Sequence, residues 1–429
     1  MTCRNCIGRT ALVVLALTVC FWGGNSRGAE HQIKPGDPPQ PILDAAAAGD
    51  TLVFLPGLHE HGLGKHQSIL YVDKPINIEL KSGAMLKLAD DTCAVGTAGE
   101  ITVDQDAREG KLDDLEVGGE LVRPNGANAG AELYGATVYT VIIDKAGQAG
   151  EADTFRWGDG KLFDTPNRGI AITGDWQDLS HGVKVRFAHQ TGHTAGSLWF
   201  VSYGGPAAYG IRIGHGIQTD YIENVTIRGQ GTIDMNSGKN ALPSGLVKDI
   251  NACVLAHGRV RNIRVEGITM TNTMRSVMCY GEHTGQMLPG GKTEGGESFD
   301  AENITIEQTR TLNPAGAAYL LGHPSHRGSL RDVKCNSNYM ETGMTALEPN
   351  FNLDGYEVRD NIIKSDGQAI HCWRFSKNGT VSDNLRIHDN TGKPVVVIGA
   401  PRGWQAPETP AMWNNRNHLA EAKPASRLD

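Results

Sequence analysis

The chain lacks several features that would assign it to common functional classes. Its 429 residues carry a net charge of −8, which argues against a nucleic-acid partner, because such proteins need a basic surface. Aromatic residues make up only 6% of the chain, so no row of sugar-stacking rings stands out. After residue 24 no apolar run is long enough to span a bilayer. We therefore expect no transmembrane segment once an N-terminal leader is removed.

The first residues have the pattern of an export signal. Arg4 and Arg9 precede an apolar stretch over residues 11–22, and the small residues Ser26 and Gly28 follow it. A short charged region, an apolar core and small residues before a cleavage point are typical of a signal peptide. We expect cleavage after Gly28 and a secreted, periplasmic or extracellular protein. A retained membrane anchor is the alternative.

Cysteine usage excludes two further classes. Three of the eight cysteines (Cys3, Cys6 and Cys20) lie in the leader. The remaining five have no Cys-x-x-Cys or Cys/His metal spacing, which argues against zinc. Their odd number favours small buried hydrophobic residues over a disulfide framework. These five are Cys93, Cys253, Cys279, Cys335 and Cys372.

What the chain does have is a repeat of short strand patterns from residue 220 almost to the C-terminus. One series includes Asn262-Ile-Arg-Val-Glu-Gly-Ile, Asn303-Ile-Thr-Ile-Glu-Gln-Thr and Tyr356-Glu-Val-Arg-Asp-Asn-Ile. Apolar residues alternate within each unit, as in strands. A period in the low twenties without intervening helices predicts an all-β fold, a right-handed parallel β-helix whose coils stack to share one core. An ordinary β-sandwich is the alternative.

A second strand repeats in every unit, and turn residues repeat with it. The second strand is illustrated by Ser276-Val-Met-Cys-Tyr and Ala369-Ile-His-Cys-Trp. Asn336, Asn361 and Asn384 occur at equivalent turns, where we expect a ladder of side-chain amides, because asparagine tolerates the left-handed turn conformation.

The repeat defines the organisation of the mature chain. Residues 29–100 are predicted to form an N-terminal cap and the first coils, with a short helix over residues 41–48. The pattern breaks over residues 101–204, where separated strands predict an inserted small β-sandwich-like module. The main coils resume over 205–402, and 403–429 form a tail. Trp157, Trp176 and Trp199 in the insertion are either core residues or glycan contacts, and the core interpretation is favoured.

The opening of the mature chain, with a helix leading into a strand that ends in Pro56-Gly57, resembles pectin lyase-like β-helix proteins. The Gly231-Thr-Ile-Asp segment resembles polygalacturonases, members of the same superfamily. Their further motifs, Asn-Thr-Asp, Asp-Asp, Gly-His-Gly and Arg-Ile-Lys, do not follow it here. The only Gly-His-Gly, Gly214-His215-Gly216, precedes it. The resemblance therefore implies a β-helix fold and a carbohydrate-active function, without matching the catalytic residues of one enzyme family.

Within that superfamily, a polysaccharide lyase demands least of the sequence. It must neutralise the carboxylate of a uronate, by a cation, so that a base can remove the neighbouring proton in a β-elimination. We therefore expect a lyase that acts on an acidic polysaccharide. A non-catalytic glycan-binding or cell-surface protein is the first alternative, and a hydrolase of polygalacturonase-like fold is the second.

The candidate site lies where the second strand leaves each coil, because stacking aligns equivalent residues along one side of the solenoid. Arg374 and Lys377 are the predicted carboxylate clamp and base, and histidines of neighbouring coils are further candidates. Ca²⁺ is a candidate cofactor held by acidic side chains. The loop over 281–298 interrupts the repeat, and it is either a wall of the groove or a tolerated insertion. The predicted catalytic residues are Arg374, Lys377, His323 and His283; the substrate-binding residues are His371, Arg402, Glu348 and Trp373; the metal ligands are Glu282 and Asp354.

Overall fold

The structure is a computed structural model of the full chain. It describes residues 28–92, 101–106, 115–119, 137–148, 150–159, 165–180, 182–203, 208–216, 218–240, 251–283, 286–287, 293–323, 328–365, 367–373, 375–388, 394–399 and 407–419. In this part of the chain, no helix has the length and apolar character that crossing a membrane requires.

Three long parallel sheets, here called sheets A, B and C, wind around one axis in the order A, B, C within each coil. Sheet A has ten strands: Glu30–Ile33, Thr51–Phe54, Asn77–Leu80, Ile222–Gly229, Val260–Glu266, Ala301–Glu307, Leu330–Asn336, Leu353–Arg359, Lys377–Ser382 and Ala411–Trp413. Sheet B has nine: Gly57–His61, Ala84–Leu88, Thr232–Asp234, Thr269–Thr271, Arg310–Leu312, Tyr339–Thr342, Ile362–Ser365, Leu385–His388 and Arg416–Leu419. Sheet C has eight: Ser68–Val72, Tyr209–Ile213, Ala252–His257, Arg275–Tyr280, Tyr319–Leu321, Leu347–Pro349, Ile370–Trp373 and Val396–Gly399. The predicted right-handed parallel β-helix is confirmed.

The core is one continuous cluster that runs the length of the solenoid. Alternate residues of each strand point inward, so that in sheet A Val225, Ile263 and Ile304 stack in register. Cys279, Cys335 and Cys372 occupy inward positions as buried free thiols. These three fit the prediction of small buried hydrophobic residues, and burial raises the pKa of each thiol above its ordinary value.

The short helix Pro39–Ala45 begins two residues before the start predicted at residue 41. It ends three residues before the end predicted at residue 48. Proline is favoured in the first turn of a helix, and Ala46 already has extended backbone angles. The Gln40 amide bonds both backbone groups of Tyr71, on the outermost strand of sheet C, at 2.7 and 3.1 Å. The helix therefore satisfies backbone groups that an open sheet edge would leave unpaired.

The insertion leaves the solenoid between sheet B strand Ala84–Leu88 and sheet C strand Tyr209–Ile213. Two antiparallel sheets pack around a shared core that contains Trp157, Trp199 and Phe187. Buried His193 accepts or donates a 2.8 Å hydrogen bond through Nδ1 to Asp153, which also accepts from the Gly147 and His193 backbone N–H groups. The five-stranded sheet contains Asn167–Ala171, Thr154–Asp159, Thr137–Lys145, Leu198–Tyr203 and Ile101–Asp106; the three-stranded sheet contains Gln177–Asp178, Val183–Phe187 and Leu115–Gly119.

A second excursion leaves the solenoid after sheet C strand Arg275–Tyr280, within the loop predicted to interrupt the repeat. Strand Glu282–His283 pairs antiparallel with Ser298–Phe299, and Gln286–Met287 pairs with Thr293–Glu294. We call this segment the hairpin. Its base lies at the end of a sheet C strand, where the candidate site was expected.

A buried ladder of asparagine amides joins the turns between sheets A and B. Asn338, Asn361, Asn384 and Asn415 bond from coil to coil, each Oδ1 accepting from the preceding rung. The predicted ladder is right for Asn361 and Asn384 but wrong for Asn336, whose amide donates to Glu357. The left-handed residue is the one before each rung, such as Ser337 or Asp360.

We predict that Asn361→Ala lowers the free energy of unfolding by about 2–4 kcal/mol, because it leaves the buried Asn338 N–H and Cys335 carbonyl without partners. Chemical denaturation followed by circular dichroism measures the loss. Asn167→Ala is the control, since that exposed amide makes a single 3.3 Å bond to Trp157. Equal midpoints for the two variants would contradict a stabilising ladder.

Candidate functional site

The outer face of sheet C carries three of the predicted site residues. Because Leu347 and Ile370 point into the core, their neighbours Glu348 and His371 point outward. The registers place Glu348 between Leu320 and His371. Trp373 lies two residues beyond His371, and the two rings are 4.2 Å apart. Glu348, His371 and Trp373 therefore share one face.

At the end of sheet C nearest the hairpin, four side chains are linked by successive contacts, three of them buried and the fourth partly exposed. His257 Nε2 lies 3.0 Å from Glu282 Oε2, with both side chains buried. The rings of His257 and Tyr280 meet edge to face at 4.6 Å. The Tyr280 and His323 rings are 5.8 Å apart, and His323 is partly exposed. We call Glu282, His257, Tyr280 and His323 the histidine–tyrosine cluster.

The hairpin positions the carboxylate of this cluster. Glu282 pairs with Phe299 at the base of the hairpin, and its Oε1 accepts a 2.9 Å bond from the His283 backbone N–H. Opposite the carboxylate, His257 ends a sheet C strand. The backbone of Gly216 packs so closely on the His257 ring that a Cβ there would lie 2.6 Å from Cε1. Gly216, the last residue of the Gly-His-Gly motif, therefore packs beside the histidine–tyrosine cluster. The motif precedes the Gly231-Thr-Ile-Asp segment in sequence.

Tyr280 is protonated at neutral pH. Burial, assisted by the nearby Tyr209 and Glu282, raises the pKa of Tyr280 well above its ordinary value of 10.0. Tyr209 shares a hydrogen bond with it and has the Arg212 guanidinium 5.2 Å from its ring centroid. Arg212 donates to three backbone carbonyls, including that of His66 at 2.7 Å. Arg212 is therefore a fixed cation that stabilises the surrounding turns.

The structure places Lys377 and Asp354 on sheet A, away from this face. Lys377 Nζ lies 3.1 Å from Asp354 Oδ2 on the neighbouring strand. Hydrogen bonds from Asn378 and Lys377 lower the pKa of Asp354. Both belong to a row of alternating charges across sheet A, in which each residue neighbours the next in register. We call this row the charge ladder; it comprises Glu223, Arg261, Glu302, Arg331, Asp354 and Lys377.

The two predicted metal ligands are not brought together. Glu282 bonds His257 at the hairpin base, whereas Asp354 bonds Lys377 and Asn378 on sheet A. Among the residues that the structure describes, no three His, Cys, Asp or Glu side chains form a group that could hold a metal ion.

Three further predicted site residues are His283, which lies on the hairpin, and Arg374 and Arg402. His283 starts the hairpin beside Glu282 and is partly exposed. Arg374 and Arg402 lie outside the described residues. Sequence reasoning missed His257 and Tyr280 as members of the site. The signal for them was available, because both lie at the ends of sheet C strands and neighbour each other in register.

A separate cleft of about 730 Å³ lies over the first coils of sheet A. Asn224, Asn262 and Asn303 line it with a ladder of amides that bond one another at 2.6 to 3.1 Å. Thr226 and Thr305 add hydroxyl groups. The cleft contains none of the predicted catalytic residues.

The chain matches no protein-family profile and no curated protein. Among solved structures, it is similar to the polygalacturonase of Erwinia carotovora ssp. carotovora, with 10% identity, 92% of this chain and 93% of that chain covered, and a TM-score of 0.38. It is also similar to a tailspike protein of E. coli bacteriophage HK620 in complex with a pentasaccharide (11% identity, 90% and 64% covered, TM-score 0.30). The chain is also similar to the exopolygalacturonase of Thermotoga maritima, with 11% identity, 90% of this chain and 91% of that chain covered, and a TM-score of 0.25. Similarity at this level concerns the course of the chain and indicates no activity.

We predict that Glu282→Ala lowers the free energy of unfolding by about 3–5 kcal/mol, because it leaves His257 and the His283 N–H without their buried acceptor. Glu297→Ala is the control within the same hairpin. Its carboxylate pairs with Arg259 at 2.7 Å but is half exposed, so we expect a loss of about 0–1 kcal/mol. The denaturation midpoints of the two variants measure these losses. Equal losses would contradict a stabilising buried pair between Glu282 and His257.

Proposed function

We propose that this protein is a carbohydrate-active β-helix protein that cleaves an acidic, uronate-containing polysaccharide as a lyase. The observation that carries the proposal is the histidine–tyrosine cluster, which leads from the buried Glu282 carboxylate to the partly exposed His323 on the outer side of sheet C. Buried titratable groups linked to an accessible one are typical of catalytic sites.

In β-elimination, a base removes the proton from the uronate carbon beside the carboxylate. The electron pair of that C–H bond forms a carbon–carbon double bond, the neighbouring C–O bond breaks, and the leaving oxygen takes a proton. His323 is proposed as the base and His283 as the proton donor, since both are partly exposed. Tyr280, His257 and Glu282 act as positioning residues.

The positioning residues supply orientation. The Tyr280 ring contacts the rings of both His257 and His323, so it fixes their separation. The Glu282 carboxylate bonds His257 Nε2 at 3.0 Å and thereby orients that ring. On sequence grounds, Arg374 is proposed to neutralise the uronate carboxylate. Glu348, His371, Trp373 and Arg402 are proposed to contact neighbouring sugars.

The acid content of sheet C favours a lyase over a hydrolase. Glycoside hydrolases use two carboxyl groups about 5 to 9.5 Å apart. The sheet C strands contain one acidic residue, Glu348. Of the acidic residues just beyond these strands, Glu282 is buried and bonded to His257, and exposed Asp73 follows the first strand of the sheet, at the far end of the solenoid from Glu348.

A non-catalytic glycan-binding protein is the second candidate. The cleft over sheet A favours it, because the amides of Asn77, Asn224 and Asn262 and the hydroxyl of Thr226 provide many hydrogen-bonding groups on an open surface. Such a surface would bind a glycan chain without cleaving it.

The residues at the cluster do not form a Ca²⁺ site in the described part of the chain, so the proposed steps do not involve this ion. Ca²⁺ remains a variable of the assay, because it would offset the uronate charge. We also propose that the protein is exported, on the basis of the leader over residues 1–28.

We predict that the mature protein generates unsaturated uronate products from polygalacturonate or alginate, seen as ultraviolet absorbance that rises together with new reducing ends. His323→Ala should lower kcat by about 100-fold or more, the usual contribution of a general base. The assay is run with Ca²⁺ and with a chelator. His418→Ala is the control, since His418 is exposed on the last strand of sheet B.

The outcomes separate the candidates. Reducing ends without absorbance would indicate a hydrolase. Absence of both signals across acidic and neutral glycans would favour the binding protein. If Lys377→Ala abolished activity while His323→Ala did not, the catalytic base would lie at the edge of sheet A and the assignment to the histidine–tyrosine cluster would be wrong.

A further inference from the structure

The inserted module presents one tryptophan to solvent. Trp157 and Trp199 are buried in its core, whereas Trp176 is 44% exposed. The described module has no other large apolar side chain exposed to this degree. Single exposed apolar side chains are common on protein surfaces, so the surroundings of Trp176, and not its exposure alone, carry the argument.

The Trp176 ring lies across the outer face of the three-stranded sheet. A Cβ at Gly118 would come within 2.8 Å of the ring atom Cη2, so the indole packs on the bare backbone of this strand. The Arg186 guanidinium carbon lies 4.9 Å from the ring centroid, at a distance that allows cation–π attraction. The indole therefore packs against the strand and Arg186, while 44% of the residue stays exposed to solvent.

The turn that carries Trp176 is held by side-chain hydrogen bonds. Gln177 accepts from the Thr173 N–H at 3.2 Å and donates to the Ala171 carbonyl at 2.9 Å. Gln190 donates to the Thr173 carbonyl at 2.6 Å. An aromatic ring that is already fixed loses little conformational entropy when a ligand binds.

Exposed charged side chains lie on the strands beside the ring, and exposed Asp175 directly precedes Trp176. Arg186 pairs with Glu116, and Lys184 Nζ lies 3.2 Å from Asp178 Oδ1. These side chains are exposed, so the pairs are weak and their donors and acceptors can exchange partners. A flat apolar face with a rim of donors and acceptors complements a pyranose ring, which has apolar C–H faces and a hydroxyl rim. A protein partner fits less well, because a stable interface buries about 800 Å² on each side and the rest of this face is charged.

We infer that the Trp176 surface is a carbohydrate-binding platform on which a pyranose ring of a glycan chain stacks. The inference takes only the polysaccharide class of ligand from the proposed function and does not require cleavage. Stacking on the ring and contacts to the sugar hydroxyl groups dominate the recognition. The platform would hold the chain at the module while the solenoid acts on another part of it.

Affinity electrophoresis of the mature protein through gels containing polygalacturonate, alginate or xylan tests this inference. We expect retardation in at least one gel and a rise in Kd of at least about tenfold for Trp176→Ala, as for other aromatic residues central to binding. Trp176→Phe should retain part of the affinity. Trp413→Ala is the matched control, because Trp413 is 49% exposed but lies on the last strand of sheet A.

Unchanged retardation of Trp176→Ala, or no retardation of the wild-type protein in any of the three gels, would overturn the inference. Circular dichroism of each variant checks that the module stays folded. The test is separate from the elimination assay: binding that depends on Trp176 without unsaturated product would leave the platform intact and refute the lyase. Unsaturated product from a protein whose glycan binding does not depend on Trp176 would support the lyase and refute the platform.

Discussion

Backbone hydrogen bonding between coils, kept in register along three sheets, is the constraint on which the rest of this structure depends. Neighbouring parallel strands lie about 4.8 Å apart, so each side chain has an equivalent residue directly above and below it. Inside the solenoid this stacks Val225, Ile263 and Ile304 in a continuous core. A single coil could not bury these residues alone.

The same register restricts which charged residues can occupy equivalent positions on the outer surface of successive coils. Identical charges on successive coils would repel at close range, and the charge ladder avoids this by alternating sign from Glu223 to Lys377. Exposed pairs of this kind contribute little individually. Their importance is that slipping one coil along its neighbour would break the alternation. The buried ladder from Asn338 to Asn415 contributes more per bond, because each amide satisfies backbone groups shielded from water.

The fold could be predicted from the sequence because the length and the alternation of the repeat are typical of strands stacked in coils. Alternating apolar residues and the recurrence of Asn361 and Asn384 carry that information without any tertiary context. Asn336 was assigned to the place of Asn338 because a shift of two residues at a turn leaves the alternation of the strand unchanged. The interval separates the two asparagines, since Asn338, Asn361 and Asn384 are 23 residues apart, whereas Asn336 lies 25 residues before Asn361.

The site was predicted less well, for a related reason. The basic residues after the second strand look equivalent in sequence, yet Lys377 begins a sheet A strand and pairs with Asp354. Arg386, another basic residue between positions 371 and 402, occupies an inward position beside Ile363 and donates to backbone carbonyls. Direction relative to the sheet decides these roles, and composition alone does not encode it.

A regular solenoid can make ladders, but a catalytic site needs different groups to converge at one place. The departures from the repeat provide that here. The hairpin displaces Glu282 from the stacking pattern and turns its carboxylate toward His257, which belongs to the preceding coil. Tyr280, in register with His257, then joins this pair to His323 on the next coil. The repeat supplies a rigid row of positions and the hairpin adds a carboxylate outside that row, so different titratable groups meet where the hairpin leaves sheet C.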